Sequence, residues 1–190
     1  NLFRHYGIEG ETRPATTDPY ESPHFANGDF VDGTRGWKIA PAEPDSVRTV
    51  LKRVLSLLQT RYVSSAGETG LVTVRSAKEP NIITREITDL QPGRLYTFRM
   101  LTCDYEDMSK EEKHAVSVKL ENVSLIPDKS FSHLFHNPGW GNFPPYDAQK
   151  NKAWMNYHWY LFRAEGKAAR ITITDWAGDN EPGGRIGQEL

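Results

Sequence analysis

The sequence predicts an all-β antiparallel sandwich, and three observations carry that expectation. Short segments rich in β-branched and aromatic residues recur at 25–30, 37–39, 71–75, 82–87, 95–103, 115–120, 154–164 and 169–175, each bounded by turn residues. No helix-period segments alternate with them, which argues against a parallel sheet and for a sandwich or barrel. Within the last segment, Ala169-Arg170-Ile171-Thr172-Ile173-Thr174 places Ile171 and Ile173 on one face, the pattern of a strand with one buried side.

Residues 1–24 are polar, aperiodic and proline-containing, as a linker or a strap lying over a surface would be, so the β-sandwich module is placed at 25–190. In the opening segment Gly28 and Gly33 relieve the backbone where it bends, and Trp37 supplies an apolar plug near one end of the sandwich. Residues 47–63 carry conflicting signals. Val47, Val50, Leu51, Val54, Leu55, Leu58 and Tyr62 recur at helical steps, whereas β-branched content and the all-β surroundings favour a strand over 57–63 at least.

The clearest unit spans 82–103. One strand ends at Ile87, and Asp89-Leu90-Gln91-Pro92-Gly93-Arg94 leads into the next. Pro92 pre-sets φ and Gly93 supplies a positive φ, the signature of a type II turn. A second unit spans 154–175, where Glu165-Gly166-Lys167 joins two strands. Antiparallel pairing is expected in both. Residues 127–152 read as a long connection carrying Phe131, His133, Phe135, His136, Trp140, Phe143 and Tyr146 among several prolines, and loops of this length in a compact domain are often functional.

The 190 residues suffice for one domain with a real core. Lysine and arginine number 23 against 25 aspartates and glutamates, a formal net charge of -2, so nucleic acid is not an expected partner. Nor is a membrane, because even the apolar run from Val47 to Leu58 is broken by Arg48, Lys52 and Arg53. The single Cys103 allows no internal disulfide and no Cys-rich zinc site, and it falls in an apolar run where a free thiol acts as a small core residue. His133 and His136 have the spacing of a metal pair on a helix, but no third ligand accompanies them. The chain opens on Asn1 without a charged n-region or apolar h-region, so it reads as a piece of a larger protein whose signal peptide, if any, lies outside it. Asn122-Val123-Ser124 is a glycosylation triplet that matters only in a eukaryotic secretory route.

Three pieces in order carry a family resemblance: Asn27-Gly28-Asp29-Phe30 with Gly33-Thr34-Arg35-Gly36-Trp37, then Ile87-Thr88-Asp89-Leu90-Gln91-Pro92-Gly93-Arg94-Leu95-Tyr96, then Trp154 with Phe162-Arg163-Ala164 and Ala169-Arg170-Ile171-Thr172-Ile173. Across about residues 25–175 this pattern resembles the jelly-roll carbohydrate-binding modules, of galactose-binding-like fold, that are appended to xylanases, cellulases and related glycoside hydrolases. The resemblance implies a non-catalytic module of a secreted or periplasmic enzyme, with a polysaccharide or oligosaccharide and the catalytic domain of the same parent chain as partners, and no cofactor. It departs from the family in two places. Val31 stands where an acidic calcium ligand often follows the opening phenylalanine, and the chain stops at Gly187-Gln188-Glu189-Leu190 before a final strand bearing another acidic ligand. A structural calcium would then draw its oxygens from Asp29, Asp32 or Asp175.

Sugars are held by aromatic faces stacked on C–H surfaces, with polar groups taking the hydroxyls. Strand alternation in 154–163 sends Trp154, His158, Tyr160 and Phe162 to one face and Tyr157, Trp159, Leu161 and Arg163 to the other. Tyr157 and Trp159, with Trp140 and Tyr146 of the long connection, are the stacking candidates, while Asn156 and Arg163 are placed to set ligand orientation. Two other functions use the same residues. A structural or docking domain that binds no sugar explains surface aromatics equally well. A lyase-type jelly-roll enzyme acting through Asn156, Tyr157, His158 and Arg163 is disfavoured, because neighbours 157 and 158 point to opposite faces of a regular strand.

Overall fold

A computed structural model describes residues 24, 26–51, 69–137 and 153–190. They form ten strands: β1 (Lys38–Ala40), β2 (Val47–Leu51), β3 (Thr69–Thr73), β4 (Ile82–Ile87), β5 (Leu95–Thr102), β6 (Ser117–Glu121), β7 (Val123–Leu125), β8 (Phe131–Asn137), β9 (Ala153–Ala164) and β10 (Ala169–Thr174), with one 3-10 turn at Pro127–Lys129. All pairings are antiparallel. The first sheet has the order β1-β4-β10-β6; the second is β5-β9-β7, with β8 also on β9; β2 and β3 make a separate pair. The expected all-β antiparallel sandwich is the fold.

Its core lies between the two four-stranded layers. Ile87, Ala169 and Ile171 from one sheet meet Phe98, Phe162 and Ala164 from the other, and Leu90 closes the end. Ile171 is fully buried and Phe162 nearly so, in keeping with the alternation that places every second side chain of β9 and β10 inward.

The two strand–turn–strand units exist, but neither is a hairpin. β4 and β5 lie in different sheets, as do β9 and β10; β4 pairs with β10 and β5 with β9, so each unit supplies one strand to each layer. The connections cross the sandwich end, where the Leu90 side chain is buried, the Leu90 N–H donates to Lys167 O (2.9 Å) and the Gly93 N–H donates to Ala164 O (2.8 Å). Gly93 has φ +81° and the Arg94 N–H donates to Gln91 O at 3.1 Å, as the predicted turn requires.

Two expectations are corrected and one open choice is decided in part. Of the expected opening strand 25–30, the described residues 26–30 are a loop: Asn27 sits at φ +55° and Phe30 at φ +59°, and the Asn27 amide donates to Gly33 O and Arg35 O while its oxygen accepts from the Asp32 N–H. A side chain that satisfies three backbone groups replaces the ladder a strand would need. Trp37 then stacks on Phe30, with centroids 5.2 Å apart, and the Arg85 guanidinium lies over the Trp37 ring at 5.3 Å. Residues 47–51 are strand β2 rather than the start of a helix, since pairing with β3 overrides a helical spacing of apolar residues. The rest of the 47–63 segment lies outside the described residues. Finally, residues 131–137 of the supposed long loop form β8 along β9.

The C-terminus also pairs. Leu190 and Thr73 exchange both backbone hydrogen bonds (2.9 and 3.0 Å), Arg75 N–H donates to Gln188 O and Gly187 N–H to Arg75 O. The tail thus lies along β3 through these bonds and an isolated bridge between Val74 and Glu189, without forming a strand of its own.

Candidate functional site

The sheet β5-β9-β8 has one face on the core and one turned away from it, and antiparallel register dictates which side chains share the outer face. Arg99, Trp159 and Phe131 stand directly opposite one another on three adjacent strands, and Leu101, Tyr157 and His133 form the next row. The Phe131 and Trp159 rings are parallel within 6° at a centroid distance of 6.3 Å. Tyr157 lies 6.0 Å from Trp159 and 6.4 Å from Phe131. The Arg99 guanidinium sits over the Trp159 ring at 5.6 Å, a cation–π contact. Phe131 is 52% exposed, Arg99 is exposed, and Tyr157 and Trp159 are half-buried.

One end of this face is closed. Met155 is 2% exposed beneath Leu101, Cys103, Met108 and Phe135, and the Trp154 N–H donates to Met108 O at 2.7 Å. The other end carries Leu161, Arg163 and the exposed Leu95, with the Arg163 guanidinium donating to Gly93 O. The outer face of the opposite sheet differs in kind. There Lys38, Thr84 and Thr172 run beside Glu86, Arg170 and Glu121, with an ion pair at 3.8 Å between Arg170 and Glu121.

The inner face of β9 at the same level is polar. His158 is 2% exposed; its Nδ1 meets Ser132 Oγ at 2.8 Å and its Nε2 meets Thr102 Oγ1 at 3.0 Å. Thr102 also meets His114 Nδ1 at 2.9 Å. Asn156 is fixed by accepting from the His114 N–H and donating to Glu112 O, so its amide nitrogen, 3.0 Å from His114 Nδ1, is a donor there. His114 Nδ1 therefore accepts, and the proton of the neutral ring is assigned to Nε2, a buried atom without a hydrogen-bond partner. Burial, reinforced by the neighbouring His114, drives the His158 pKa down to about 4, and burial likewise lowers that of His114. Both rings are neutral spacers in a hydrogen-bonded row.

The candidate residues thus separate. Tyr157 and Trp159 share the outer face with Arg163, which lies further along β9. Asn156 does not join them: it is 3% exposed on the inner face, where it ties residues 112–114 to β9. Trp140 and Tyr146 lie outside the described residues. Tyr157 and His158 point to opposite faces, and so do His133 and His136, which occupy a strand rather than a helix. Phe131 and Arg99 were missed as site residues. Phe131-x-His133-x-Phe135 has a strand period and was the available signal, but flanking prolines and histidines made it read as loop.

Two of the three named carboxylates, Asp175 and Asp32, are already engaged by the protein's own groups. Both oxygens of the buried Asp175 accept from Asn81, at 2.9 and 2.6 Å, and Asp32 pairs with Arg35. Among the described residues no three His, Cys, Asp or Glu side chains group as a metal site would, and no helix is long and apolar enough to cross a membrane. No family model, curated protein or solved structure matches the chain.

Proposed function

We propose that this chain is a non-catalytic carbohydrate-binding module of jelly-roll type, carried by a larger secreted or periplasmic polysaccharide-degrading protein, and that glycan lies along the outer face of β5, β9 and β8. The observation that supports this reading most is the open row Arg99–Trp159–Phe131 with Tyr157 beside it. Aromatic side chains on a packed sheet are normally turned inward, and here the core is already filled from the other side by Phe98 and Phe162. Phe131 ends the row and presents the largest free ring, so it is the first stacking partner; Trp159, held between Phe131 and Arg99, braces it. Arg163 and Arg99 supply donors for ring oxygens and hydroxyls. Such an open platform buries little of its ligand, so binding is modest in strength.

A second reading, a docking domain for the parent chain's catalytic domain, is favoured by one observation: Leu95, an aliphatic residue 46% exposed, continues the same face. A retention panel of insoluble and gel-embedded polysaccharides separates the two. Wild type should be retained selectively, and Phe131→Ala and Trp159→Ala, checked as folded by circular dichroism, should each lose about tenfold in affinity, equivalent to about 1.4 kcal/mol. Retention on no polysaccharide would favour docking instead.

A further inference from the structure

The strands that carry the outer face contain no aspartate or glutamate at all: Leu95–Thr102, Val123–Leu125, Phe131–Asn137 and Ala153–Ala164 are free of carboxylates in a chain that holds 25 of them. Two arginines, Arg99 and Arg163, stand on that face and are exposed. Among the described residues neither forms an ion pair. Arg99 rests on Trp159, and Arg163 spends one N–H on Gly93 O. This differs from the opposite outer face, where Arg170 is neutralised by Glu121, and from Arg48, which pairs with Glu189 at 2.6 Å. The strands of the aromatic face thus carry two arginines and no carboxylate, while the whole chain is slightly negative.

From this we infer that the glycan taken by the aromatic face is acidic, a polysaccharide bearing carboxylate groups. The inference rests on the carbohydrate-binding reading and narrows it. A guanidinium seated over an indole at 5.6 Å still has N–H groups to offer, and a guanidinium takes a carboxylate through two parallel hydrogen bonds. Arg99 stands opposite Trp159, and Arg163 lies four residues further along the same strand, which separates the two by about 13 Å. A polymer lying along β9 meets both charges on different sugar units, with Phe131 and Tyr157 beneath the rings between or beyond them. A neutral glycan gains the stacking and hydrogen bonds from the guanidiniums to its hydroxyls, but brings no counter-charge to either arginine.

Isothermal titration of the whole chain with sodium alginate and polygalacturonate, against barley β-glucan, xylan and mannan as neutral polymers, tests this. The acidic polymers should bind at least about tenfold more tightly at low salt, and the preference should shrink as sodium chloride is added. Arg99→Gln and Arg163→Gln should each abolish most of the preference while leaving the melting temperature unchanged, and Arg170→Gln, which removes the same charge from the opposite face, should leave it intact. Neutral polymers bound as tightly as acidic ones would overturn the inference and leave the carbohydrate-binding reading standing. An equal loss in the Arg170 variant would overturn it as well, by reducing the preference to overall charge. Binding of no polymer at all would remove both.

Discussion

Arg75 is 1% exposed, and its guanidinium is answered mainly by carbonyls: Nε donates to Asp175 O, Nη2 to Ala115 O, and Nη1 to Arg185 O and to Gln188 Oε1. Burial lowers its pKa against the pull of Asp175 and Glu112. The tail wraps so closely that a Cβ at Gly184 would lie 2.2 Å from Nη1, which is why the chain has glycine there. Removing the guanidinium strands four acceptors, so Arg75→Ala should lower unfolding free energy by about 3–5 kcal/mol in urea titration, and Gln188→Ala by a smaller amount. His158 makes a different prediction. Its folded pKa of about 4 lies below the unfolded value of 6.5, so the unfolded chain takes up the proton first as pH falls. The associated stability is complete above pH 6.5 and is lost as pH drops to about 4, with a total on the order of 3 kcal/mol. His158→Gln should flatten stability against pH in that window; an unchanged slope would assign the acid sensitivity to carboxylates such as Asp104. Burial works to raise the Asp104 pKa, but the Asp107 N–H, Gln188 and Lys110 bring it to a net value below the ordinary one.

Individual strands were legible wherever period-2 alternation met turn chemistry. Residues 82–87 and the β9 segment were readable within a residue or two, and the positive φ at Gly93 followed from Pro92-Gly93 alone. Partner choice was not legible. The connection through Leu90 looks like a hairpin turn in sequence, but burying Leu90 sends the chain across the sandwich end, and the energy of that burial is invisible to local pattern. Leu90→Ala should therefore act as a core mutation and cost about 2–5 kcal/mol in chemical denaturation, although the residue lies in a loop. A cost below 1 kcal/mol would mean that the crossing is held by its backbone bonds to Lys167 and Ala164 instead. The outer-face residues were half legible for a related reason. Alternation within β9 placed Tyr157, Trp159 and Arg163 together, but Phe131 and Arg99 reach them only through register with β8 and β5, and register is set by pairing. Asn156 was misplaced by residue type; counted by parity, it belongs with His158.

At the scale of the whole molecule, the sandwich presents two outer faces of opposite character. One mixes lysine, arginine, glutamate and threonine in the manner of an ordinary solvated sheet. The other combines Phe131, Tyr157, Trp159 and two arginines that form no ion pair among the described residues, without a single carboxylate in its strands. It is this face on which the proposed ligand site rests. The most direct measurement is an amide chemical-shift map of the isotope-labelled chain titrated with an oligosaccharide from the best-retained polysaccharide. The account predicts shifts concentrated at 97–101, 131–135 and 157–163, lost in Phe131→Ala. Shifts concentrated on 84–86, 119–121 and 170–172, or none at saturating ligand, would contradict it.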